Sequence, residues 1–185
     1  LNTFSSNKEE KLHLENFSNI INLALMLFKG SSDFVRVKLL EPDEPIFVYI
    51  ESPSFLSLIL NLFINAKDAM EGKGTILVKY SKVKLPSSNI PTKLDAGEYV
   101  HLTVSDSGKG IPQNTIEKVW NPFFTTKKPG KGTGLGLAMA REIVKNHRGD
   151  IWFDTEVGKG TTFHILLKTG IPGLNQEYLT IKQAD

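Results

Sequence analysis

The spacing of apolar residues changes period several times along this chain. In "LHLENFSNIINLALMLF", apolar side chains at Leu14, Phe17, Ile21, Leu25 and Phe28 recur every three to four residues, which predicts an amphipathic helix ended at Gly30. "VRVKLL" then reads as a strand, and after the turn "EPDEP" the β-branched and aromatic run "IFVYI" reads as another. Ser52 and Pro53 suit the N-cap and first position of a second helix, expected to end at Gly72 or Gly74. "TILVKYSKV" alternates as a strand does, "KLPSSNIPTKLDAGE" has the composition of a loop, and "YVHLTVSD" is the next strand. A short helical pattern runs from Gln113 to Val119. A third amphipathic helix runs from Leu137 through Ala140, Ile143, Val144 and His147, closed by Gly149. "DIWFDT", the turn "EVGKG" and "TTFHILLK" make a final hairpin. These elements predict an α/β (α+β) two-layer sandwich, a mixed sheet of about five strands covered on one face by three helices.

The second helix carries an anomaly. In "LILNLFINAKDAM", Asn61 and Asn65 are four residues apart, so both amides project from one face. The residues around them are apolar almost all the way round, which puts the amides inside, where an unpaired one costs about 1–3 kcal/mol. An amide oxygen is a hard, neutral ligand suited to one vertex of a hydrated Mg²⁺ whose other ligands are water and phosphate. Local hydrogen bonding at a helix edge is the plainer alternative.

Three further stretches carry candidate chemistry. "SDSGKGIP" puts Asp106 at the end of an apolar strand. Its carboxylate could accept the exocyclic amine of adenine, with glycines beside it admitting a flat base, or could simply close an Asx turn. "KKPGKGTGLGLAMA" sets glycines at the start of a helix, either a phosphate cradle helped by Lys127, Lys128 and Lys131 or a flexible loop with a glycine-rich cap. It is neither GxxxxGK[ST] nor a GxGxxG that follows a strand. In "NPFFTTKK", Phe123 and Phe124 read equally as a loop anchor in the core and as the grip on which a nucleotide lid swings.

Composition narrows the choices. A chain of 185 residues, 40% hydrophobic and 23% charged, suits one globular domain. A net charge of +2 argues for neither a nucleic-acid nor an acidic-membrane surface. The absence of cysteine excludes disulfides and thiolate metal sites, and no HExxH occurs. No apolar run reaches the ~18 residues of a spanning helix, so this piece reads as soluble. A start at Leu1 points to excision from a longer protein, with any membrane anchor or sensor upstream.

The order of these pieces resembles the catalytic ATP-binding domain of bacterial sensor histidine kinases. The likeness covers residues 12–168; residues 1–11 resemble the end of an upstream dimerisation helix, and 169–185 a linker or tail. It implies the Bergerat-type ATP-binding fold, with Asn65 as Mg²⁺ ligand assisted by Asn61, and Lys131 joining them in catalysis. Asp106 would bind adenine over Gly108 and Gly110, next to Ile111. Phe124, Thr126, Lys127, Lys128 and Lys131 would belong to a lid spanning 124–131, over phosphates lined by Gly132, Thr133, Gly134, Leu135, Gly136 and Leu137. Asp68 departs from the family, many of whose members carry a basic residue there; Lys127, Lys128 or Lys131 would substitute. The phosphoacceptor signature, a His followed by an acidic residue and a Pro, is absent at His13, His101, His147 and His164. Hydrolysing relatives such as gyrase carry a Glu at the position of Asn61, and an amide cannot take a proton from water. The expected function is transfer of the γ-phosphoryl of Mg-ATP to a histidine on an upstream dimerisation domain. A cognate response regulator, a homodimeric cytoplasmic parent, and no nucleic-acid or membrane contact by this piece are also expected. Alternatives are an anti-sigma-factor-type serine/threonine kinase, a GHL-type ATPase and a nucleotide-binding scaffold.

Overall fold

The computed structural model describes residues 12–29, 34–127 and 132–173. Residues 1–11, Gly30 as a helix stop, Lys128, Lys131 and the tail beyond residue 173 lie outside the described residues. In chain order the elements are β1 (His13–Asn16), α1 (Phe17–Lys29), β2 (Val35–Leu40), β3 (Phe47–Ile50), α2 (Ser52–Ala69), β4 (Gly74–Leu85) and β5 (Gly97–Asp106). A 3-10 turn (Gln113–Thr115), α3 (Gly136–Asn146), β6 (Asp150–Glu156) and β7 (Gly160–Gly170) complete the fold. The strands form one sheet in the order β1-β3-β7-β5-β4-β2, with β6 also on β7. Among the described residues only β2 and β4 pair in parallel; the other pairs are antiparallel.

The sheet has seven strands where about five were expected, and pairing at its edge supplies part of the difference. Leu14, whose spacing predicts the first turn of a helix, belongs instead to β1 and pairs with Tyr49. The backbone bonds gained on β3 are non-local, so helical spacing carries no trace of them. α1 starts at Phe17 because Asn16 caps it, its side chain accepting from the Ser18 amide at 3.1 Å. A smaller shift, of one residue, opens α2. The cap is Glu51 and not Ser52, with the Glu51 carboxylate accepting from the Ser54 amide at 2.7 Å. α2 ends at Ala69, short of the expected glycines, because Glu71 and Gly72 already turn with φ of 56° and 80°. At the end of α3 the left-handed residue is Arg148, φ 54°, and not Gly149. Gly149 is needed for space, since a Cβ there would lie 2.2 Å from the Leu166 carbonyl oxygen.

All three helices pack on one face of the sheet. α2 is central, packed between α1 and α3, and buries Phe55, Leu58, Ile59, Leu62, Phe63 and Ala66 against the sheet and its neighbours. Each large apolar side chain so buried contributes about 1.5–3 kcal/mol, which makes this helix the mechanical support of whatever it presents on its remaining face. Aromatic edges close the layer, Phe28 meeting Phe63 at 5.3 Å and Phe17 meeting Tyr80 at 5.1 Å. On the opposite face the loop after β4 folds back over the sheet. Ile90 and Leu94 pack on a small second cluster of Leu85, Tyr99 and Leu166, which anchors the loop while Ser88, Asn89, Pro91 and Lys93 stay exposed. Among the described residues, no helix is long and apolar enough to cross a membrane.

Candidate functional site

The C-terminal half of α2, the loop after β5, the stretch 124–127 and the glycine run 132–136 enclose a cavity of about 580 Å³. Asn61 and Asn65 line it from α2, with Ile64, Asp68 and Ala69 beside them. α2 is therefore not apolar all round: Ile64 is 46% exposed, and the two amides are half-buried on the cavity wall instead of inside the core. The Asn61 amide nitrogen is nevertheless shut off from solvent and has no hydrogen-bond partner among the described residues. Its neighbour is the first residue of α3, where a Cβ on Gly136 would fall 2.2 Å from Asn61 Oδ1. No side chain caps α3, and its first residues, Gly136 and Leu137, line the cavity. A helix start left open in this way is an anion site by default.

Asp106 stands at the other end. It closes β5 opposite Thr161 of β7 and accepts from the Gly108 amide at 2.8 Å, so the Asx turn exists and its carboxyl still lines the cavity. Burial pushes this carboxyl above its ordinary range, against the backbone amides of Gly108 and Thr161, which stabilise the charge. Gly110, φ 71°, lies on the wall, pressed against the Glu156 carbonyl of the β6–β7 turn. Ile111 is fixed there by its amide, which donates to Thr155 Oγ1 at 2.9 Å. Gly108 is not on the wall; it lets the loop lie against the end of α2, where a Cβ would meet the Ala69 carbonyl at 2.6 Å.

Between these ends, Phe124, Thr126, Lys127, Gly132, Thr133 and Gly134 line the cavity, while Leu135 does not. Gly134, φ 68°, packs on the Phe123 backbone so closely that a Cβ would lie 2.4 Å from it. Phe123 itself is 76% exposed and anchors nothing in the core; Phe124 is the half-buried member of the pair. Lys127 reaches across to α2, its ammonium 3.3 Å from Asn65 Oδ1 and 2.5 Å from Asp68 Oδ2. The structure thus brings together thirteen of the expected site residues, Asn61, Asn65, Asp106, Gly110, Ile111, Phe124, Thr126, Lys127, Gly132, Thr133, Gly134, Gly136 and Leu137.

Sequence reasoning missed Lys109, Thr161 and the apolar wall of Pro112, Val119 and Phe163. Thr161, 5% exposed, was visible only as part of the hairpin; strand alternation from Phe163 would have turned it toward the same face. Among the described residues, no group of three or more His, Cys, Asp or Glu could cage a metal. What the site offers is a pair of neutral amides, one of them without a partner, which suits an ion held mainly by water and phosphate oxygens.

Comparison with known proteins agrees with this geometry. The chain is 44% identical over 119 residues to the sensor kinase CckA of Brucella abortus (strain 2308), covering 61% of this chain and 12% of that protein. With the sensor histidine kinase ZraS of Escherichia coli (strain K12) it shares 31% identity over 162 residues, 86% of this chain and 32% of the relative. It therefore spans less than a third of the length of either relative. The catalytic domain of histidine kinase ThkA, in a nucleotide-free form, superposes with a TM-score of 0.69 at 26% identity, covering 85% of this chain and 95% of that one. Residues 51–171, from the cap of α2 through the end of β7, hold the whole cavity wall and match the histidine kinase-, DNA gyrase B- and HSP90-like ATPases, the family to which this chain belongs.

Proposed function

We propose that the cavity binds Mg-ATP and that the domain, residues 12–168, passes the γ-phosphoryl to a histidine on a dimerisation domain of the same parent protein. The observation that carries this reading is the unpartnered Asn61 amide lying against the open start of α3, across the cavity from the half-buried Asp106. A triphosphate suits one end and a purine the other. Asp106 accepts the exocyclic amine, and Ile111, Pro112, Val119 and Phe163 give the flat ring an apolar slot. Gly132, Gly134, Gly136 and Leu137 approach the phosphates through the backbone. Asn65 and Asn61 would hold the magnesium, which when bound neutralises phosphate charge and favours in-line transfer.

Two observations favour an outside acceptor over water. The carboxylates on the wall are already engaged, Asp68 by Lys127 and Asp106 by the Gly108 amide, so none is poised as a general base beside Asn61. None of the four histidines lines the cavity: His147 is 4% exposed between α2 and α3, and His101 and His164 stand on the other face of the sheet. The acceptor then belongs to another part of the parent, a cytoplasmic homodimer that hands the phosphoryl on to a response regulator. Calorimetry should give ATP binding that needs Mg²⁺ and weakens about 10–100-fold in Asp106→Asn, the worth of a hydrogen bond to a charged acceptor. In the full-length parent the phosphate should be acid-labile, as on histidine. ATP affinity indifferent to both magnesium and Asp106→Asn would overturn the site, and acid-stable phosphate on serine would overturn the acceptor.

A further inference from the structure

The ion pair between Lys127 and Asp68 joins α2 to the chain just after Phe124, across 59 residues of sequence. Asn65 and Asp68 are three apart on α2 and so share one face, and both line the cavity. The Lys127 ammonium bridges them, at 3.3 Å from the amide oxygen and 2.5 Å from the carboxylate. Its place is built from the far side as well. The Lys127 amide donates to Thr125 Oγ1 at 3.1 Å, and a Cβ on Gly132 would lie 2.9 Å from the Lys127 Cδ and 3.2 Å from that same hydroxyl. Gly132 therefore clears room for the lysine stem as much as for any ligand.

We infer that Lys127 is the phosphate-binding lysine of this site and that Asp68 is its positioning residue, holding the ammonium beside Asn65 where a triphosphate would need it. This rests on the Mg-ATP reading above. The physical reason is charge placement. A lysine carries four rotatable carbons and loses much of its freedom on binding, so a partner that fixes the ammonium in advance lowers that loss. Asn65 Oδ1 can only accept, and an ammonium and a divalent cation repel at such short range, so a metal held at Asn65 would displace Lys127 from the amide. Asp68, already paired with the ammonium, would keep it within reach of the phosphates. A basic side chain on α2 at position 68 would present the same charge directly; here a carboxylate stands there and the charge arrives from the opposite wall.

The test relocates the charge. Lys127→Met should weaken ATP binding about tenfold or more by calorimetry in the presence of Mg²⁺, with adenosine affinity unchanged. Asp68→Asn should weaken ATP several-fold in the wild-type background and have no effect on top of Lys127→Met. Asp68→Lys combined with Lys127→Met should restore much of the lost affinity. In the protein without nucleotide, the Asn65 side-chain amide resonances should shift in Lys127→Met, a readout independent of turnover. Affinity losses that add in the double variant, no rescue by the lysine at 68, or unmoved Asn65 resonances would each overturn the inference. Loss of Mg-dependent ATP binding by the unaltered chain would instead overturn the Mg-ATP reading itself. Lys127→Arg, which keeps the charge, controls for folding, with thermal melts alongside.

Discussion

Two polar clusters sit on opposite faces of the same sheet, and they differ in what stands beside their buried nitrogens. On the outer face His101 Nε2 lies 3.0 Å from His164 Nδ1, and His164 Nε2 lies 3.0 Å from Asp154 Oδ2. Trp152 stacks on His164 with ring centroids 4.9 Å apart and planes 5° from parallel. These groups line a second cavity of about 370 Å³, and each imidazole stands within 3.0 Å of a polar neighbour, although His164 Nε2, shut off from solvent, does not meet hydrogen-bond geometry with Asp154. On the helix side, the Asn61 amide nitrogen has no hydrogen-bond partner among the described residues. By residue type alone, two histidines and an aspartate advertise chemistry and two asparagines do not. Partnership reverses that ranking: both rings stand 3.0 Å from a polar neighbour, Asp154 supplying an opposite charge beside His164, whereas the Asn61 amide nitrogen stays costly until something arrives to pair with it.

The largest way to break this contrast is to fill the space beside the unpartnered amide. Gly136→Ala puts a methyl where Asn61 Oδ1 already lies, 2.2 Å away, and should weaken ATP binding about 100-fold while leaving the outer cluster intact. Calorimetry that finds ATP binding unchanged would show that this corner does not meet the ligand. Next in size is a crossed pair. Asn61→Ala should cost ATP affinity yet leave the thermal midpoint level or raised, since an unpaired buried amide is removed. His101→Gln should do the reverse, losing about 1 kcal/mol, or about 2–4 °C, with ATP binding unaffected. Equal effects of both variants on both measurements would erase the distinction.

The smallest effect is on pH. Burial, reinforced by His164 and Lys79, holds His101 down at about 4, and burial lowers His164 against the opposing pull of Asp154. A base whose folded pKa lies below its unfolded value binds more protons when unfolded. The stability these rings contribute is thus present above about pH 6.5 and is lost as pH falls toward 4. Thermal midpoints should decline over that window, and less steeply in His101→Gln. The raised Asp106 titrates with the opposite sign, the folded protein favouring its proton, so Asp106→Asn should hold or raise the midpoint near neutrality even as nucleotide binding weakens.

Much of this was legible in the sequence, for reasons that also explain what was not. Helical period marked α1 and α3, Ser52 and Pro53 marked the opening of α2 to within a residue, and glycines at 134 and 136 signalled close backbone approach, because these are local properties. β1 was hidden because its partner, β3, lies more than thirty residues on. Leu14 keeps helical spacing with Phe17 while obeying a different neighbour. Glu51 was overlooked as a cap because Ser52 and Pro53 satisfy the local rule one residue too late. Gly108 and Leu135 fell inside the right motifs, but one glycine serves the packing of a loop on α2 and the leucine turns away from the cavity. Asp68 looked like a defect until Lys127 arrived from the opposite wall, a compensation that spacing along one helix cannot reveal.

His147 has a consequence for motion. Its Nε2 accepts from the Glu51 amide at 2.9 Å while Nδ1 donates to the Ile143 carbonyl at 2.7 Å, which rivets the beginning of α2 to the finish of α3. At the opposite extremity of α3, Gly136 is seated on Asn61, close enough that a methyl on the glycine would fall 2.2 Å from the amide oxygen. Parting the two helices therefore requires breaking the imidazole bridge at one end or unseating the glycine at the other.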